Sequence, residues 1–196
     1  MAEKVERPFK MIAIIGQAGS GKDTILRAVC EKNHELNEIV SCTTRPMRDG
    51  EIDGINYHFY TVDKFTEEVL NDKMLEASCF NNWFYGTSSD SLLKDKVNIG
   101  VYNPEGIESL MLHKDIELYV FLIEASDKVR LIRQLNREKN PDIEEIFRRY
   151  KTDRADFADL PFHHNVLENE YIDDLDHAVS VICSAAEKLQ AKLGQF

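Results

Sequence analysis

The chain has 196 residues, 43% of them hydrophobic, which suits one domain with a packed core. A net charge of −11 argues against a nucleic-acid partner, and no apolar run approaches the roughly 18 residues of a membrane span. The four scattered cysteines (Cys30, Cys42, Cys79, Cys183) form no C-x-x-C pair, and the opening MAEKVERPFK lacks the apolar stretch of a secretory signal. Both features point to a reducing cytoplasm rather than a disulfide framework or a zinc site.

In chain order, KMIAIIG reads as a buried strand, and residues 21–32 as a helix with Ile25, Leu26 and Val29 on one face. NEIVSCTT is a second strand candidate, and INYHFYTV alternates like a strand of a small aromatic sheet. TVDKFTEEVLNDK reads as a short helix with an Asp cap, and MLEASCFNNWFYG as a strand pair or an irregular aromatic segment. VNIGVYN is a strand, and PEGIESLMLHK a helix with Pro104 in its first turn. IELYVFLIEA carries the strongest strand signal and is expected at the centre of the sheet. SDKVRLIRQLNREKN starts a helix on a Ser cap, Pro141 interrupts, and PDIEEIFRRYKTDRADF resumes it. HNVLEN is a last short strand, and DDLDHAVSVICSAAEKLQAKL a long amphipathic helix. The alternation predicts an α/β fold with a largely parallel sheet, and the aromatic stretch 55–90 interrupts it as an insert with its own small sheet.

Between the first strand and the first helix stands GQAGSGKDT, residues 16–24, close to the phosphate-loop pattern G-x-x-x-x-G-K-[ST]. Glycines let such a loop turn its N–H groups toward phosphate oxygens, the helix adds its positive end, and Lys22 would reach the β- and γ-phosphates. Asp23 replaces the usual hydroxyl residue. A carboxylate is a hard-oxygen ligand for Mg²⁺, so Asp23 binds the ion directly, binds it through water, or turns away and leaves Thr24 to contact phosphate. Arginine is concentrated as well: six of ten lie within 130–154, and Arg45 and Arg48 form a second group. Two such concentrations in an acidic chain suit a small, highly anionic ligand, although any one arginine also reads as part of a solvated helix face.

SCTTRPMRDGEIDGINYHF, then MLEA, then WFYGTS complete a pattern. With these segments the sequence resembles the guanylate kinase family, whose T-T-R-x-x-R-x-G-E-x-x-G-x-x-Y-x-F, isolated Glu and Y-G-[TS]-[ST] follow in the same order. The resemblance covers roughly residues 10–175 and is strongest at 10–25 and 41–90. It implies a P-loop NTPase-type parallel sheet flanked by helices, with a small mixed-sheet insert for the nucleoside monophosphate and a helical lid. The chain would be a single domain over 1–196, with the core at about 8–40 and 96–192, the insert at about 41–95 and the lid at about 133–155.

The implied activity is transfer of the ATP γ-phosphate to GMP or dGMP with Mg²⁺, in a cytoplasmic monomer or homodimer. Gly16, Ala18, Gly19, Ser20, Gly21, Lys22, Asp23, Thr24, Arg133 and Asn169 would bind ATP, with Asp23 at the metal. Arg45, Arg48, Tyr57 and Tyr85 would grip the acceptor phosphate, with Glu51 orienting an arginine. Glu76 would accept from guanine N1–H and the 2-amino group, Thr87 would donate to O6, and Ser41 and Asn103 would lie near the base. Lys22, Arg45, Arg137 and Arg148 would carry catalysis, with Arg149 the alternative to Arg148. By themselves Tyr57 and Tyr85 read as core aromatics of the insert, and Glu76 as an exposed strand residue. The family's D-x-D-x-Q-G is VYNPEG here, so Val101, Asn103 and Glu105 stand at its Asp, Asp and Gln, and Ala18 stands at its loop serine. These departures leave two other readings open: a kinase for another (deoxy)nucleoside monophosphate, and an inactive protein-binding module of the same fold.

Overall fold

The structure, a computed structural model, describes residues 8–48, 50–80, 82–137 and 139–193; most of the opening segment, residues 1–7, lies outside them. The elements are β1 (Phe9–Ile15), α1 (Lys22–Lys32), β2 (Asn37–Glu38), β3 (Cys42–Thr43), β4 (His58–Phe59), α2 (Val62–Leu70), β5 (Met74–Phe80) and β6 (Trp83–Ser88). There follow β7 (Val97–Val101), α3 (Pro104–Leu110), β8 (Ile116–Glu124), α4 (Asp127–Arg137), α5 (Ile143–Asp156), β9 (Asn165–Glu168) and α6 (Ile172–Leu193).

Five parallel strands in the order β2-β7-β1-β8-β9 form the main sheet. Residues 11–15 of β1 are fully buried, the uninterrupted apolar run of a strand covered on both faces. Ile12 and Ile14 pack with Ile25 and Val29 of α1 and with Ala178, Ile182 and Ala186 of α6. Met11, Ala13 and Ile15 pack on the other face with Ile107 and Leu110 of α3. The middle position thus belongs to β1. The strand expected there, β8, is one place over, because β9 pairs outside it from Phe121 onward.

A second sheet, of order β4-β3-β6-β5, forms the insert. The expected strand NEIVSCTT divides between the two sheets. Glu38 pairs with Ile99 of β7, and the Ile39 N–H donates to the Ile99 carbonyl at 2.8 Å. Cys42 then pairs with Gly86 of β6, so the chain leaves one sheet and enters the other within four residues. INYHFYTV contracts to β4, whose parallel pairing with β3 spans two residues before Thr61 starts a helix. The cap of α2 is that Thr61, which accepts the Lys64 N–H at 3.2 Å, and not Asp63, which sits in the first turn. Phe65 of α2 is buried and stacks on Phe84 of β6, fastening the helix to the insert sheet.

Candidate active site

The phosphate loop leaves β1 and closes at the start of α1. Gly19 and Gly21 take φ of +81° and +93°, in the left-handed region that only glycine enters freely. A Cβ at Gly19 would also lie 2.5 Å from the Arg130 carbonyl oxygen. Gly21 supplies the N-cap of α1 and has no side chain, so the first-turn N–H groups are left uncapped, as an anion site requires. Lys22 is half-buried there with its Nζ 3.7 Å from Asp23, and Asp23 and Thr24 are both exposed.

The loop's carbonyl oxygens face a ring of donors. Ala18 O accepts from Arg130 Nε at 3.1 Å and Gln134 Nε2 at 3.3 Å. Gly19 O accepts from Arg133 at 3.4 Å, and Ser20 O from Arg133 at 3.2 Å and Asn169 Nδ2 at 2.6 Å. Arg133 and Asn169, read from sequence as ATP contacts, therefore hold the loop's backbone. Arg130, Gln134 and Asp153 escaped the sequence reading. Asp153 Oδ2 accepts the Ala18 N–H at 2.5 Å, and its main-chain oxygen accepts from Gln17 Nε2 at 3.2 Å. One sequence signal was available: Arg130, Arg133, Gln134 and Arg137 recur at i, i+3, i+4 and i+7, a helix face made only of donors.

In the insert, Arg45 follows β3 and is nearly buried, its guanidinium forked onto Glu51 at 2.8 and 3.0 Å. This is the orienting role expected of Glu51, whose carboxyl the Arg45 hydrogen bonds hold below the usual range. Glu51 also accepts the Arg48 N–H at 2.7 Å, with Arg48 itself exposed. The Arg45 guanidinium carbon lies 5.5 Å from the Tyr57 ring, and Tyr57 meets Tyr85 edge-on at 6.1 Å. Burial pushes the Tyr57 phenol up, and the charge of Asp23 across the cleft acts in the same direction. Core and insert thus approach each other around these side chains. Ser41 precedes β3, half-buried, its carbonyl accepting the His58 N–H.

Glu76 and Thr87 stand opposite each other on β5 and β6, and Thr87 Oγ1 donates to Glu76 Oε1 at 2.8 Å. Glu76 is buried rather than exposed, and burial pushes its carboxyl up to about 7, partly offset by Thr87 and reinforced by Glu105. The Thr87 hydroxyl, expected on guanine O6, is given to Glu76. Asn103, whose amide oxygen was expected near the base, is the N-cap of α3: Oδ1 accepts the Gly106 N–H at 2.7 Å and Nδ2 donates to Ser78 Oγ at 3.3 Å. Ser78 is therefore a further buried polar residue beside Asn103.

On α5, in the stretch expected to act as a lid, Arg148 forks onto Glu145 at 2.7 and 2.9 Å and Arg149 reaches the same carboxylate at 2.7 Å. The Arg148 hydrogen bonds lead in holding Glu145 down to about 2. Arg137 ends α4 in an exposed position. No group of three or more His, Cys, Asp or Glu side chains suited to a metal occurs among the described residues.

The guanylate kinase family model matches residues 9–186. The chain belongs to the guanylate kinase family. It is 32% identical over 189 residues to a guanylate kinase of Chlorobium luteolum, covering 94% of this chain and 95% of that one. A guanylate kinase of Caldanaerobacter subterraneus is 29% identical, covering 91% and 86%. Among solved structures, a guanylate kinase from Anaplasma phagocytophilum superposes with a TM-score of 0.67 at 21% identity, over 94% of this chain and 88% of that one, a likeness of fold. The parallel sheet flanked by helices and the separate mixed sheet match the fold of that guanylate kinase. Among the described residues, no helix is long and apolar enough to cross a membrane.

Proposed function

We propose that this chain transfers the γ-phosphoryl group of ATP to GMP or dGMP, yielding ADP and (d)GDP. The observation that carries the reading is the buried Glu76 carboxylate, 2.8 Å from Thr87, in the same insert as the Arg45–Tyr57–Tyr85 cluster. A buried acceptor suits a purine offering N1–H and 2-amino donors, and a base without them leaves that acceptor unpaired. Arg45, Arg48, Tyr57 and Tyr85 then hold the acceptor phosphate, and Lys22 the donor phosphates. Arg137 and Arg148 close over the transferring group. The attacking phosphate is already ionised near neutral pH, so catalysis is positioning and charge neutralisation without a general base.

The residues present fit Mg²⁺. Asp23 is an exposed hard-oxygen ligand in the first turn of α1, and Mg²⁺ is commonly held by one or two carboxylates together with substrate phosphates. When bound, the ion neutralises charge on the phosphates. The four free cysteines support a reducing, cytoplasmic setting.

The test is ADP formation from Mg·ATP with each common ribo- and deoxynucleoside monophosphate in turn. Turnover with GMP and dGMP, and little with the others, is the expected result. Turnover with a different base keeps the kinase and overturns the guanine assignment. A folded protein with no turnover on any of them is a binding module.

A further inference from the structure

Arg130 is 1% exposed on a helix whose other residues are all partly or fully exposed. Its donors go to three places: Nε to Ala18 O at 3.1 Å, Nη1 to Asp127 at 2.9 Å and Nη2 to Asp153 at 3.4 Å. Asp153, from α5, returns a bond to the same residue by accepting the Ala18 N–H at 2.5 Å. Both polar groups of Ala18 are therefore held, one by a guanidinium and one by a carboxylate, and the two holders are ion-paired. The backbone of Gly19 lies against the main chain of Arg130, so the next residue is confined as well.

We propose that Arg130 and Asp153 form a positioning pair that holds the phosphate loop at Ala18 in its nucleotide-ready shape and couples it to the lid helix α5. Turning the Ala18, Gly19 and Ser20 carbonyls outward onto side-chain donors keeps acceptor oxygens away from an incoming polyphosphate. Asp153 alone would place a negative charge beside that site. Arg130 cancels it while using the same carboxylate to anchor α5. Neither residue touches substrate, so both act through the loop.

The inference rests on the phosphotransfer reading for its kinetic readout, but nucleotide binding tests it separately. ATP affinity is measured by calorimetry without acceptor, and KM for ATP, KM for GMP, kcat and thermal midpoint are measured for wild type, Arg130→Met, Arg130→Lys, Asp153→Asn and the Arg130→Met/Asp153→Asn double variant. Arg130→Met weakens ATP binding about tenfold or more and raises KM for ATP alike, because a displaced loop misaligns the donor, while KM for GMP stays within about twofold. Arg130→Lys recovers part of the loss. The double variant is less impaired than the two single effects combined, since the largely buried Asp153 carboxylate that Arg130→Met leaves unpaired is removed with it, while Asp127 is mostly exposed to solvent. Unchanged ATP affinity in folded Arg130→Met, or equal rises in both KM values, overturns the proposal. If Arg130→Met does not fold, unaltered ATP affinity in Arg130→Lys and Asp153→Asn overturns it instead. A wild type that binds ATP without turning over GMP contradicts the phosphotransfer reading alone.

Discussion

Arg45 of the insert and Arg130 of α4 are both nearly buried guanidiniums with carboxylate partners, yet their surroundings differ. Around Arg45 stand the rings of Tyr57 and Phe59, with Tyr85 beyond them, and its guanidinium is oriented by the Glu51 carboxylate and by the neighbouring Pro46 carbonyl. Around Arg130 stand a backbone carbonyl and two carboxylates, and the one ring beside it among the described residues, Tyr150 at 5.6 Å, gives its hydroxyl to Asp127, one of those carboxylates. The first arrangement leaves a cation facing hydroxyl-bearing aromatics and suits an anionic ligand. The second is closed on itself and fixes the shape of a loop. A buried arginine is thus left open to a ligand or closed on the protein's own backbone according to its neighbours, and composition alone does not separate the two.

The largest effect expected is at the insert. Arg45→Ala lowers kcat/KM for GMP by about 10³-fold, the scale for losing a group that stabilises transferred charge. Arg45→Lys keeps the charge but not the fork and recovers part of it. Steady-state kinetics with GMP varied at saturating ATP checks both, and a loss under tenfold for Arg45→Ala would make that arginine structural. Next come Arg148 and Arg149 of α5, which share the Glu145 carboxylate. Replacing Arg148 or Arg149 by Ala separates them: the one that reaches the transferring phosphate costs about 10²-fold in kcat with KM for GMP little changed. Equal, small effects would make both helix-surface residues held by Glu145.

Glu76 contributes a pH dependence. In the ligand-free protein its carboxyl titrates at about 7 and is neutral below that. Guanine donors need the ionised form, so GMP affinity rises with pH through about 7, beyond the part due to the phosphate, and Glu76→Gln flattens that excess. Calorimetry of GMP binding from pH 6 to 8 measures it; identical profiles in the two proteins would remove Glu76 from base recognition. The same group affects folding. The folded chain keeps a proton here that the unfolded chain releases near 4.5, so this contribution to stability falls as pH rises from about 4.5 to about 7. Asp23→Asn comes next: turnover drops at low Mg²⁺ and recovers at high Mg²⁺, and an unchanged rate at both ends the metal role. Smallest is Asn103→Ala, which removes the α3 cap and costs about 1 kcal/mol in denaturant unfolding.

Some of this was legible before any coordinates. β1, the glycine loop and α1 follow one another within 24 residues, and their patterns are local: a doubly buried strand, left-handed glycines, a helix with one apolar face. Arg45, Glu51 and Tyr57 were legible for a similar reason, since they lie within thirteen residues and Glu51 meets Arg45 over a short turn. The division of NEIVSCTT was not, because strand partners come from β7 and β6, which lie far along the chain. The commitment of Asn103 to its own helix, and of Thr87 to Glu76, likewise depended on which acceptor or donor lay nearest after folding.

The amino-acid order alone carried the fold class, the family and the chemical kinds of side chain at the site, because periodicity, glycine placement and motif spacing are properties of neighbours in the chain. Which arginines hold the protein's own backbone was decided only in three dimensions. On α4, Arg130, Arg133 and Gln134 turn inward onto the loop while Ile132, Leu135 and Arg137 are left exposed, the reverse of the usual amphipathic helix. The physical reason is hydrogen bonding: three carbonyls of a glycine-rich loop, 110 or more residues away in sequence, need donors, and among the described residues α4 and Asn169 bring them.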